Sequence, residues 1–143
     1  MSFILIIIPL IVLVLTQILK LSIDKIRGNL NLKSIFMSYG GMPSSHTSFA
    51  VSIVTLVGIT EGFSSALFAV STVFTLIIMR DAVTFRHILG QQGRLLNQLV
   101  KKLPGVEQKK MPHFQERLGH SLLEVGVGAV WGVCVTLGLY WIF

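Results

Sequence analysis

The chain has one cysteine, four prolines and only six acidic residues in 143. With a single thiol, Cys134, an intramolecular disulfide framework and a thiolate metal site are both excluded. Charged residues make up 13% and apolar residues 52%. A soluble domain carries about a quarter charged residues, so this composition belongs to a bilayer protein. Aromatic residues are 9% and are not interleaved with basic ones. Despite a net charge of +6, the chain therefore lacks the stacking platforms of a nucleic-acid binder. Its cations abut apolar runs instead, which points to membrane lipids and to a phosphate-bearing lipid as partners, with no nucleic acid. No Lys or Arg precedes the first apolar run and no small-residue cleavage site follows it, so it reads as a retained helix rather than a secretory signal.

Four apolar runs are present: Phe3 to Leu19, Thr47 to Thr60, Phe63 to Met79 and Leu122 to Phe143. The first and last have the length of a bilayer span, and the middle two are near or below the usual lower limit of about 17 residues. Thr60, Glu61 and Gly62 form a turn between the second and third, giving a helical hairpin rather than one long helix. Leu95, Leu96, Leu99 and Leu103 recur at helical spacing between Gln91 and Leu103, with Arg94, Gln98 and Lys102 interposed. This is the pattern of an amphipathic helix at the interface. Tyr140 and Trp141 suit an aromatic anchor. The fold class expected is all-α: one integral membrane bundle over residues 1–143, with about four transmembrane helices and one interfacial helix. So small a bundle exposes much helix surface, which suits a homo-oligomer.

Four helices in sequence put the end of the first, the start of the second, the end of the third and the start of the fourth on one membrane face. Every Lys and Arg lies in the two segments at those ends, from Lys20 to Lys33 and from Arg80 to Arg117. All four histidines, His46, His87, His113 and His120, lie there too, while the opposite face offers only Glu61. The positive-inside rule accounts for much of this loading and places that face in the cytoplasm, on the plasma (inner) membrane.

Glu124 opens an otherwise uncharged apolar helix, where a carboxylate is costly unless paired. The residue four positions before it, on the same helical face, is His120. Glu124 can fix the tautomer of the imidazole through one nitrogen and leave the other free as a nucleophile. Gly40-Gly41-Met42-Pro43-Ser44-Ser45-His46 precedes the second helix. A Gly-rich turn followed by a helix start presents backbone amides to an anion, although Ser44 or Ser45 also reads as a plain N-cap. His46 at its edge is placed to donate a proton to a leaving oxygen. Lys20 and Arg27, seven residues apart, share a helix face two turns apart, and two such cations are reconciled by a phosphate between them. Arg80-Asp81, then Arg86, add cations at the end of the third helix. Beyond His120 and Glu124 there is no cluster of metal-ligand number, so no metal and no cofactor are implied.

These elements together resemble the type 2 phosphatidic acid phosphatase superfamily. Its signature is Lys, six residues, Arg, Pro; then Pro-Ser-Gly-His; then Ser-Arg, five residues, His, three residues, Asp. Lys20 and Arg27 have the first spacing, Pro43-Ser44-Ser45-His46 resembles the second motif, and Gly119-His120 with Glu124 resembles the end of the third. The wording Gly-Gly-Met-Pro-Ser-Ser-His, Arg-Asp-Ala, Leu-Asn and Leu-Gly-His is similar to a small divergent branch of that superfamily, and the likeness runs from Gln17 to Gly132. Three positions depart from the pattern. Gly28 follows Arg27 in place of Pro, Ser45 replaces the family glycine, and Phe114 stands where the third motif has Arg. The four spans expected here are also fewer than the six usual in membrane members.

The resemblance implies a metal-independent hydrolase of a lipid phosphomonoester. His120 would form a phosphohistidine, Glu124 would orient it, and His46 would protonate the leaving alcohol and then activate water. Lys20, Arg27 and the backbone around Ser44 and Ser45 would hold the phosphate oxygens, with Arg80, Arg86 or Arg117 in place of the missing Arg. Two other readings use the same residues: a carrier that binds lipid phosphate without turnover, and a structural subunit whose charges only set topology.

Overall fold

The computed structural model describes residues 3–26, 41–105, 110–116 and 118–143, the side chains of residues 24–26 excepted. Five helices are described: α1 (Ile4–Ile26), α2 (Ser45–Thr60), α3 (Ala66–Val83), α4 (Phe85–Val100) and α5 (Leu122–Ile142). The protein is an all-helical membrane bundle, with no strand among the described residues. By length and apolarity α1, α5 and the α3–α4 stretch can cross a bilayer. The fourth apolar helix, α2, has 16 residues. It rises only about 24 Å, short of a hydrocarbon core of about 30 Å.

That short helix is the centre of the bundle, packing against α5, α1 and α3. Small residues make this position possible. Ser44, Ser48 and Ser52 recur every fourth residue on α2 and are fully buried. They face Gly128, Gly132 and Thr136 at the same spacing on α5. A Cβ at Gly128 would lie 2.8 Å from the Ser44 carbonyl oxygen, and one at Gly132 would lie 2.7 Å from that of Ser48. The backbones therefore approach as closely as glycine permits, the usual route to tight packing when lipid removes the hydrophobic drive between helices. Hydroxyls bond across the seam: Ser48 Oγ donates to the Gly128 carbonyl at 2.9 Å, and Thr136 Oγ1 to Ser52 Oγ at 2.7 Å. Trp131 Nε1 ties α5 to α1 through Thr16 Oγ1 (3.0 Å), and Thr75 Oγ1 ties α3 to α2 through the Ala50 carbonyl (3.2 Å). An apolar knot of Ile8, Val12 and Leu56 fills the other end of the bundle.

Residues on the outer faces are apolar and exposed, among them Leu10, Val14 and Ile18 on α1, Val70, Val73 and Phe74 on α3, and Val130 on α5. In water this belt would be untenable, and in a bilayer it is the surface that lipid covers. Trp141 is fully in this outer layer, as expected of an anchor. Tyr140 is not: it packs against the Ile8 knot.

The interfacial helix begins earlier than its leucine pattern indicates. It runs from Phe85 to Val100 rather than from Gln91 to Leu103. Polar residues do not stop a helix, so α3 continues through Arg80 and Asp81 to Val83, and the break comes at Thr84. Phe85, Ile88, Leu89, Leu95, Leu96 and Leu99 form one exposed apolar stripe along α4. Its opposite face, carrying Gly90 and Gly93, is buried.

Candidate active site

Residues 113–116 and 118–120 lie back along the buried face of α4 and deliver His120 to the bundle. Glycines allow the contact. A Cβ at Gly90 would lie 2.8 Å from the Glu116 carbonyl oxygen, and one at Gly93 would collide with that of Gln115. Asn97 grips the same segment with its side-chain amide, donating from Nδ2 to the Phe114 carbonyl (2.8 Å) and to Glu116 Oε1 (2.9 Å), and accepting the Phe114 N–H at Oδ1 (3.0 Å). At the far end Gly119 turns with φ +94°, a conformation that L side chains rarely adopt, against the backbone of His87. The His120 N–H then donates to the Ala82 carbonyl of α3 at 2.9 Å.

Ser121 starts α5 with a capping box. Its Oγ accepts the Glu124 N–H (3.2 Å), and its own N–H donates to Glu124 Oε2 (3.0 Å). The same Oε2 lies 3.1 Å from His120 Nδ1. With Glu124 ionised, Nδ1 carries the proton and Nε2 keeps the lone pair. His120 is 8% exposed. Burial holds its pKa below the usual histidine value, helped by the charges of Lys20 and Arg86 and opposed by the hydrogen bond and charge of Glu124. The imidazole is therefore neutral at physiological pH.

His46, on the first turn of α2, lines a cavity of about 390 Å³ together with Phe49, Ile77, Ile78, Asp81, Ala82, Arg86 and His120. One end is polar, with two imidazoles and a guanidinium. The Asp81 carboxylate stands with them, and the rest of the wall, Phe49, Ile77, Ile78 and Ala82, is apolar and belongs to α2 and α3. Arg86 Nε donates to Asp81 Oδ2 at 3.1 Å, a bond that fixes the guanidinium at the cavity while leaving its other nitrogens for a ligand. Lys20 reaches the same end of the bundle. It is buried, and its stem packs on Gly41, where a Cβ would lie 2.9 Å from Lys20 Cε. Its charge acts on both His46 and His120.

The sequence-derived candidates thus separate. His120, Glu124, His46, Lys20 and Arg86 come together at one end of α2. Arg80 is exposed on the last turn of α3 and does not line the cavity. Ser44 is the N-cap of α2, but its N–H donates to the Glu124 carbonyl (3.2 Å) and is spent on packing rather than offered to an anion, while its buried Oγ accepts from Thr47 (2.9 Å). Ser45 follows as the first helical residue and is buried. Arg27 and Arg117 lie outside the described residues. Among the described residues no three His, Cys, Asp or Glu side chains gather as a metal would require. Sequence reasoning passed over Ser121, although Ser-x-x-Glu is a capping-box signature. It also did not see the task of Asn97, for which no local signal exists.

The fold and this polar end define an integral membrane helical protein with a histidine-carboxylate pair and cations converging beneath one face. The chain belongs to the family described as the divergent PAP2 family, whose model matches residues 2–135. It is 34% identical over 142 residues to YuiD of Bacillus subtilis (strain 168), an uncharacterized membrane protein, covering 92% of this chain and 90% of that one. No solved structure matches the chain.

Proposed function

We propose that this protein is a metal-independent membrane phosphatase acting on a lipid phosphomonoester of the phosphatidate, phosphatidylglycerophosphate or polyprenyl phosphate type. The observation that carries the reading is the composition of the cavity: two histidines and Arg86, the last paired with Asp81, beside an apolar wall from Phe49, Ile77 and Ile78 along which a lipid chain can lie. His120 Nε2 attacks phosphorus while the ester P–O bond breaks, and the departing alkoxide takes a proton from His46. Water then attacks the phosphohistidine as His46 takes its proton. The N–P bond breaks, and inorganic phosphate leaves. Lys20 and Arg86 balance the negative charge on the non-bridging oxygens, which is most of what phosphoryl transfer asks of a protein. In this reading Arg86, from the start of α4, does the work of the Arg that Phe114 displaces.

The test is inorganic phosphate release from a panel of lipid phosphates in detergent with chelator present, comparing the parent with His120→Ala and His46→Ala. Release that survives chelator and vanishes in both variants supports the phosphatase. Binding of lipid phosphate without release would replace it with a carrier built on the same cationic pocket.

Gly41→Ala tests the phosphate grip from a position that bears no charge. The added Cβ meets the Lys20 stem, and φ at this residue is +100°. Displacing one charge-assisted contact removes about 1.5–3 kcal/mol, so the expected result is a roughly tenfold or greater rise in KM. An unchanged KM would show that the flexible Lys20 stem yields to the added methyl; an unchanged KM in Lys20→Met, which removes the charge outright, would remove Lys20 from the phosphate site.

The site faces the cytoplasm in this reading, on the strength of the charge asymmetry. Glu61→Cys is expected to be labelled by an impermeant thiol reagent in intact cells and Lys101→Cys to be shielded, both in a Cys134→Ser background. The reverse pattern would put the active face outside.

A further inference from the structure

We infer that Asn97 is a positioning residue for His120, acting at a distance through the segment of residues 113–120; the inference rests on the phosphatase reading. Asn97 is on the last turn of α4, does not line the cavity and carries no charge, yet it satisfies both backbone groups of Phe114 and bonds Glu116 Oε1. Three hydrogen bonds from one side-chain amide to a loop constitute a clamp.

The clamp matters because it anchors the stretch of chain that leads to His120. From Phe114 the described residues run against α4 in register: Gln115 over Gly93, Glu116 and Leu118 over Gly90, Gly119 over His87, and His120 bonded to Ala82. At Gly90, Gly93 and Gly119 a Cβ would meet opposing backbone at 3.0 Å or less, so the segment is seated on α4 without slack. Glu124 sets the rotation and tautomer of the imidazole, since it bonds Nδ1. The His120 backbone is held on one side by the Ser121 capping box of α5 and on the other by the Ala82 bond and the register along α4, which Asn97 holds at its far end. An in-line attack tolerates displacements well below 1 Å, so a slip of this segment is costly to the chemical step while leaving Lys20 and Arg86 in place to bind phosphate.

The experiment compares the full-length parent with Asn97→Ala, which removes the clamp, and Gly93→Ala, which presses the segment off α4 from beneath while favouring the helix itself. Two readouts are taken on folded protein in detergent: kcat and KM for a lipid phosphate, and amide hydrogen exchange of residues 113–121 against that of α5. The expected result in both variants is a kcat lowered roughly 10- to 100-fold with KM within about twofold, and faster exchange confined to residues 113–121. A lost fold would instead speed exchange throughout α5. Faster exchange with kcat unchanged overturns the positioning role, and unchanged exchange with unchanged kcat overturns the clamp as well. A parent that releases no phosphate from any lipid phosphate sinks the phosphatase reading and the positioning role with it, an outcome distinct from an active parent whose variants match it.

Discussion

His120→Ala is expected to lower phosphate release by on the order of 10³-fold or more, because removal of a covalent nucleophile leaves only binding and electrostatic terms. The loss should be catalytic rather than structural. Glu124 Oε2 still accepts the Ser121 N–H when the imidazole is gone, so its carboxylate is not stranded, and the capping box that starts α5 stays intact. The His120 N–H to Ala82 bond is a backbone contact that alanine also makes. Thermal unfolding within a few degrees of the parent, together with abolished release, is the paired result that identifies a nucleophile. Comparable release by the variant would end the phosphohistidine mechanism. The same residue gives a pH dependence. Only neutral imidazole attacks, and burial holds the His120 pKa below about 6.5, the ordinary histidine value. The acid limb of release therefore lies below about 6.5, at the depressed value, and a second limb stands on its alkaline side, where His46 loses the proton it must donate. An acid limb centred above 6.5 would mean that another group controls it.

Gly128→Val is expected to have the largest effect on stability. The new side chain would enter where the Ser44 backbone stands, with its Cβ 2.8 Å from the carbonyl oxygen and 3.1 Å from the nitrogen. Overpacking of this kind costs about 1–3 kcal/mol when neighbours can yield, and backbone yields least. To relieve the clash α2 must move away from α5, which breaks the Ser44 N–H bond to the Glu124 carbonyl and carries His46 away from His120. Both the unfolding midpoint and phosphate release should fall. Gly126→Val is the control: nothing lies within 4 Å of a Cβ there, so it should leave both unchanged. Equal behaviour of the two variants would show that the seam is not tight.

Of the departures from the superfamily pattern, Gly28 lies outside the described residues. Phe114, at the position of the expected Arg, is held by Asn97 through its backbone alone, which leaves the choice of side chain without a structural explanation. A guanidinium is present in the cavity from another helix, Arg86, bonded to Asp81. Ser45, in place of glycine, is buried within the first turn of α2.

Local rules made much of this readable in advance. A bilayer admits helices with satisfied backbones, so apolar run length alone announced an all-helical membrane bundle. A four-residue spacing paired His120 with Glu124, although the two do not share a helix, since His120 precedes the N-cap Ser121, and the alternation of membrane faces grouped His46 and Lys20 with them. Boundaries were less legible, because a helix ends where backbone bonds end and not where apolar residues do. Hence α3 runs on to Val83 and α4 begins at Phe85. What only the tertiary structure decided is every matter that depends on contact between distant segments. Arg86 rather than Arg80 reaches the cavity because Thr84 interrupts the helix between them. Ser44 serves the seam with α5, and Asn97 holds a segment 17 residues further along the chain. Such partners are chosen by how backbones pack in space, and no pattern confined to one helix records them.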